Sequence, residues 1–209
     1  MSKPVLILGA GGHAKVLLEI LISLNREIIA IVDPQSKNSL QSLVNCKHYF
    51  NDDDVLSFDP KNISLVNGVG SLPDNNLRHK LYKKFSSLGY QFITLISPNA
   101  VVSSSAILDD GVQVMAGVIV QAGAHLKSNT IINTGAIIEH DCYIGISNHI
   151  APGVTLSGEV KTGNFVHIGT GANVIQGINI GENTVIGAGA IVTKSVNKNG
   201  KIFGFRSIS

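Results

Sequence analysis

Between residues 96 and 192 an apolar side chain returns at every sixth position. The series reads Ile96, Val102, Leu108, Val114, Val120, Leu126, Ile132, Ile138, Ile144, Ile150, Leu156, Thr162, Ile168, Val174, Ile180, Ile186 and Val192. Sixteen of the seventeen are aliphatic, and the exception, Thr162, is β-branched. Two residues before each lies a second register of mostly small or β-branched side chains, from Ala100 through Ala124, Ala136, Cys142 and Val166 to Ala190. A period of six fits neither an α-helix nor a plain strand. It is the mark of a parallel β-helix built from hexapeptides. Each hexapeptide gives a short strand and a tight corner, and only stacked coils bury its apolar side chain. Glycine or asparagine recurs between the aliphatic positions, where a corner demands backbone conformations that a Cβ resists.

The first half of the chain follows another pattern. Val5-Leu6-Ile7-Leu8 is a continuous apolar run of the kind found in a buried parallel strand. The segment Gly9-Ala10-Gly11-Gly12-His13-Ala14 follows, and apolar positions then recur at helical spacing to about Leu24. Residues Ile28 to Val32 predict a second strand ending at Asp33-Pro34, which completes a βαβ unit with a glycine turn. Ser64 to Val69 predicts a third strand, Asn75 to Leu88 a helix entered through Pro73-Asp74, and Tyr90 to Leu95 a fourth strand. The polar stretch from Gln35 to about Asn51 predicts no element. The organisation expected is a Rossmann-like α/β domain over 1–95, an all-β parallel β-helix over 96–195 and a C-terminal tail over 196–209.

Composition narrows the function classes. The formal net charge is only +2 and no basic run occurs, so a nucleic-acid surface is not expected. Two cysteines, Cys46 and Cys142, imply no disulfide framework and make the cytoplasm the expected compartment. Cys142 sits in the small-residue register and reads as corner filler. Apolar runs fall well short of the ~20 residues needed to cross a bilayer, and no signal peptide follows Met1.

Two segments carry chemistry. Gly9, Gly11 and Ala14 fit the dinucleotide fingerprint, with Asp33 near the place of a ribose-binding acid. Glycines there let backbone N–H groups approach phosphate at a helix N-terminus. About 95 residues hold one mononucleotide half and not two, so a nucleotide or nucleotide-sugar site is favoured over NAD. The second segment is Glu139-His140-Asp141. A carboxylate beside an imidazole raises its basicity and orients it through one ring nitrogen, as a general base requires. His149 follows nine residues later on a neighbouring face. No Cys/His spacing suggests zinc, and no metal is expected.

The hexapeptides resemble the left-handed β-helix of acyltransferases, which has three hexapeptides per coil. That resemblance adds an eighteen-residue period, at which side chains of adjacent coils stack ~4.8 Å apart. It places His149 beside His167, and His125, Tyr143 and Lys161 in one column. With Gly9 to Lys15 and Asn133 to Cys142 both present, the whole chain resembles the sugar O-/N-acyltransferase family. This family includes UDP-4-amino-sugar N-acetyltransferases of bacillosamine-type pathways and relatives that act as sialic acid O-acetyltransferases.

The resemblance implies His140 as base and Asp141, where the family usually has Glu, as the carboxylate that strengthens it. Glu139 becomes a flanking acid, and Asn133 a residue near the acceptor amine. His149 would meet acetyl-CoA, with Gly169, Thr170, Gly187 and Ala188 along the pantetheine groove. Gly11, Gly12, His13, Asp33 and Gly70 would hold the UDP-sugar. It further implies a homotrimer with active sites between subunits. Two departures stand out: Pro34 replaces a second acid after Asp33, and the tail reads Gly204-Phe205-Arg206-Ser207 in place of Gly-x-Pro-Ala. The expected activity is acetyl transfer from acetyl-CoA to the C4 amine of a UDP-4-amino-4,6-dideoxy sugar. A sialic acid-type O-acetyltransferase, an NAD-binding protein and a purely structural β-helix are the alternatives.

Overall fold

In a computed structural model, which describes residues 2–35, 40 and 44–204, the chain divides into two compact units, Met1–Pro98 and Asn99–Ser209. The first unit holds β1 (Val5–Leu8), α1 (Gly12–Ser23), β2 (Ile28–Val32), β3 (Lys47–Tyr49), a 3₁₀ helix (Asp52–Ser57), β4 (Ser64–Asn67) and α2 (Leu77–Ser87). The strands form one parallel sheet in the order β3-β2-β1-β4. All four residues of β1 are buried, as its unbroken apolar run requires of a strand covered on both faces. Leu6, Leu8, Val32, Leu65, Leu81 and Phe85 belong to one core cluster.

Two elements differ from expectation. The sequence does not anticipate β3: its three residues are exposed or half-buried, and the strand is too short and polar to show a period. The strand predicted from Tyr90 to Leu95 is shortened: Phe92 makes a single bridge to Leu65, and Leu95 begins a two-residue strand, Leu95–Ile96. Tyr90 is drawn into the core instead, where its hydroxyl donates to Val55 O (3.0 Å) and Phe58 O (2.7 Å). Residues 36–39 and 41–43, in the stretch for which no element is predicted, lie outside the described residues, as do the tail residues Phe205, Arg206 and Ser207.

The second unit is the β-helix. Two-residue strands stack in parallel on three faces, each pairing with the strand eighteen residues away except the last, Lys201–Ile202, which pairs sixteen residues away with Val185–Ile186. One face carries Ile119, Ile137, Thr155, Asn173 and Ile191; a second His125, Tyr143, Lys161 and Asn179; a third Ile131, His149, His167 and Val185. His149 is in register with His167, and Tyr143 with both His125 and Lys161, as the eighteen-residue period predicts. From Val114 to Val192 every sixth-residue side chain is buried.

From Gly111 to Gly189 every sixth residue turns a corner in the left-handed region, with φ between 55 and 72°. Glycine and asparagine fill most of these corners, for the steric reason the sequence suggests. The other four are Asp141, Ser147, Glu159 and Phe165.

The interior is not wholly apolar. Thr162 is matched by polar members of the small register: Asn148 donates through Nδ2 to Thr162 Oγ1 (2.5 Å), and Thr130 Oγ1 donates to Gly145 O (2.8 Å). Asn148 Oδ1 accepts from Val166 N (2.7 Å), and Thr162 Oγ1 accepts from Gly145 N (3.0 Å). These groups are buried and satisfy one another across three coils.

Candidate active site

His140 stands on the corner that follows strand Ile137–Ile138. Its successor Asp141 adopts φ 58° and donates its N–H to Ala122 O (3.0 Å) on the adjacent coil. The corner is thereby fixed, and the carboxylate meets the preceding imidazole. His140 Nδ1 donates to Asp141 Oδ2 at 2.9 Å. That bond places the ring proton on Nδ1 and leaves Nε2 as the basic nitrogen. The His140 pKa is raised, chiefly by the hydrogen bond to Asp141, with further contributions from the charges of Asp141, Glu139 and Glu159 against a desolvation effect in the other direction. Both partners are open to solvent, at 49% and 64% side-chain exposure.

Two glycines make room for this pair. A Cβ on Gly158 would stand 2.5 Å from His140 Nε2 and 2.6 Å from Cε1, so the imidazole lies where a side chain would be. A Cβ on Gly123 would collide with Asp141 Oδ1. In the sequence both look like ordinary members of the repeat. Each lies eighteen residues from its partner, Gly158 after His140 and Gly123 before Asp141, and that spacing is the signal that could have found them. Cys142, next in the chain, is buried and donates through Sγ to Ser157 O (3.3 Å). Its pKa is pushed up to about 11, foremost by desolvation. The thiol stays protonated near neutrality and is no nucleophile.

A second group occupies another edge of the prism. Asn133 Oδ1 accepts from Thr134 N (2.8 Å), which orients the amide so that Nδ2 faces His149 Nε2 (3.3 Å). His149 Nε2 is then the acceptor of that bond. The His149 ring packs edge-to-face on His167, with centroids 4.9 Å apart. Burial lowers the His167 pKa, which keeps this second ring neutral. Further along the same edge Gly169 is packed so closely on the next coil that a Cβ would lie 2.6 Å from Ala188 N and 2.8 Å from Gly187 C. Thr170 and Ala188 face outward there, and Gly189 N donates to Thr170 O (2.8 Å). Asn133, His149, Gly169, Thr170, Gly187 and Ala188 therefore share one edge and its flank, while Glu139, His140 and Asp141 occupy the next edge.

The glycine turn of the first unit is built for close approach. α1 starts at Gly12 with Gly11 as N-cap, no side chain capping it and no acid in its first turn, so its first N–H groups suit an anion. Nothing lies within 4 Å of a Cβ placed on Gly11 or Gly12. Gly70 lies against His13, with its Cβ position 3.5 Å from that of His13. Asp33 accepts from Ala10 N (2.6 Å) through one oxygen and from Gln35 N (2.8 Å) through the other. It thus ties the glycine turn to the end of β2. Arg78, which in the sequence looks like a surface charge on α2, is buried and donates to Asn67 O (2.9 Å) and Val69 O (2.8 Å). It shapes the end of β4 that leads to Gly70. An arginine in a polar helix gives no sequence signal of such a role.

His125, placed by the eighteen-residue period in one column with Tyr143 and Lys161, also belongs to an ion-paired group: its Nε2 donates to Asp109 (2.8 Å), which also accepts from Lys127 Nζ (2.6 Å). Among the described residues no group of His, Cys, Asp and Glu side chains is arranged as a metal site. No helix among them is long and apolar enough to cross a membrane.

The family model of the PglD N-terminal domain matches residues 4–85. The acetyltransferase domain of PglB from Neisseria gonorrhoeae is 33% identical, with 97% of each chain covered and a TM-score of 0.87. It has also been seen in complex with acetyl coenzyme A. PerB from Caulobacter crescentus, in complex with CoA and GDP-perosamine, is 35% identical over 98% of this chain and 95% of that one, with a TM-score of 0.84. WeeI from Acinetobacter baumannii, 22% identical over 97% of each chain with a TM-score of 0.82, shares the fold. No curated protein sequence matches significantly.

Proposed function

Because this chain belongs to the sugar N-acetyltransferases of the hexapeptide β-helix type, we propose that it transfers acetyl from acetyl-CoA to the C4 amine of a UDP-4-amino-4,6-dideoxy sugar, with His140 as general base. The observation that carries this reading is the His140–Asp141 pair, held by its Nδ1 side and presenting Nε2 over Gly158 on an exposed corner. The N-terminal unit supplies the open glycine turn and α1 terminus for the diphosphate, with His13 and Gly70 beside it. The edge from Asn133 to Ala188 takes acetyl-CoA.

The neutral amine attacks the thioester carbonyl. As the C–N bond forms, Nε2 of His140 takes a proton from the nitrogen, and Asp141 stabilises the resulting imidazolium. The tetrahedral intermediate collapses with rupture of the C–S bond, and CoA leaves as thiolate. His149 lies on the edge assigned to acetyl-CoA, beside Asn133. Holding both substrates at once removes much of the entropic barrier.

The separation of His140 from the Asn133–Ala188 edge supports a homotrimer, in which the base of one β-helix faces the acetyl-CoA edge of its neighbour. The test is CoA-thiol release from acetyl-CoA with UDP- and GDP-linked 4-amino sugars, comparing wild type with His140→Ala. Transfer lowered about 10²–10⁴-fold by the substitution, with the fold intact, is expected. Full activity in the variant would remove His140 from the mechanism, and turnover only with the GDP-linked sugar would correct the nucleotide.

A further inference from the structure

We propose that Glu159 is a specificity-determining residue of the His140 site, drawing in the acceptor as its protonated ammonium and so favouring amines over hydroxyls. This rests on the acetyl-transfer reading above and extends it to a residue on the adjacent coil.

Glu159 turns its corner at φ 61°, eighteen residues beyond Asp141, where glycine or asparagine usually stands. A glutamate in the left-handed region carries a conformational cost that glycine escapes. Its side chain is exposed, and among the described residues its carboxylate takes part in no hydrogen bond or ion pair. Its backbone N–H donates to His140 O (2.9 Å), and its neighbour Gly158 lies under the imidazole. An unpaired carboxylate is thus fixed to the base by its own backbone.

The charges that act on the His140 ring all have one sign. Asp141 and Glu139 come from the corner of His140, Glu159 from the next coil, and the coil on the other side brings Ala122 and Gly123, which carry none. An aliphatic amine is largely protonated at neutral pH, whereas a sugar hydroxyl is uncharged. The site therefore attracts the first and is indifferent to the second. The bound ammonium releases one proton to solvent before attack. The second passes to His140 as the C–N bond forms, and the departing thiolate balances the charge.

The experiment compares wild type, Glu159→Gln and Glu159→Asp in acetyl transfer to the UDP-4-amino sugar, with and without added salt. Glu159→Gln should raise the KM for the amine about three- to fivefold, the size of one exposed charge interaction, with kcat nearly unchanged. Wild-type KM should rise with ionic strength more steeply than that of the variant, and Glu159→Asp should restore part of the loss. NMR titration should show the His140 pKa lower in Glu159→Gln than in wild type. An unchanged amine KM in folded Glu159→Gln overturns the role of Glu159 while leaving acetyl transfer standing. An equal rise in KM for a hydroxyl acceptor overturns the charge argument. A trimeric wild type that acetylates no amine sinks the functional reading, and this proposal with it.

Discussion

Asp141 serves the site through its backbone as much as through its carboxylate. Asp141 meets Nδ1 of His140 from a left-handed conformation, which the hexapeptide corner supplies. The family resemblance assigns the pair, and the acid–histidine–acid run draws attention to it, but the sequence does not show why neighbours in the chain can meet. The pair has a definite pH signature. Its hydrogen bond and charge raise the His140 pKa, so the imidazole keeps its proton to a higher pH than an isolated histidine. A base works only when neutral, so wild-type kcat/KM should fall on the acid side at a correspondingly higher pH. In Asp141→Asn that limb should move to lower pH, because the support for the imidazolium is gone. Above both limbs the variant should still be slower by about tenfold or more, its base being weaker and less well oriented. A pH–rate profile of the two proteins checks this, and an unmoved limb would show that another group titrates. Gly158 and Gly123 mark what is hidden at this scale: they matter for atoms they lack, visible only once residues are stacked in eighteens.

At the scale of elements, the six-residue period determines nearly everything about the β-helix, because each strand offers one inward side chain and each corner one left-handed residue. The N-terminal unit is legible where apolar runs are long, in β1, α1 and β2, and obscure where β3 offers only Lys47, His48 and Tyr49 on an edge. Tyr90 reads as a strand residue because its burial depends on carbonyls of the 3₁₀ helix and its cap, more than thirty residues away. The break in the period at Thr162 has a counterpart that a single register does not reveal. Asn148 joins Thr162, Gly163 and Val166, and immediately precedes His149. Replacing Asn148 by Ala would strand the Val166 N–H and remove a donor from Thr162, in a place water does not reach. The expected cost is about 1–3 kcal/mol, measured as a lower midpoint of thermal or urea denaturation. No change in that midpoint would mean the polar column is dispensable.

The whole molecule poses the question of what completes a site. His140 lies on one edge of the prism, and Gly169, Thr170, Gly187 and Ala188 lie on another, with a sheet face between them. In a closed cyclic trimer each chain can offer its base to one neighbour and its acetyl-CoA edge to the other. That arrangement separates the two contributions genetically. His140→Ala removes the proposed base, while Thr170→Trp, at an exposed position, fills the edge proposed for acetyl-CoA without disturbing the interior. Each variant alone should be inactive. Co-expressed in equal amounts and assembled at random, they should recover about one quarter of wild-type activity, since a site is intact when an unmodified base meets an unmodified edge on different chains. Sites confined to single chains would leave the mixture as inactive as its components, because every chain then carries one defect. Sedimentation of the mixed preparation must show a trimer for either result to count. Recovery near one quarter would place the reacting atoms between subunits, and no recovery in mixed trimers would return them to one chain.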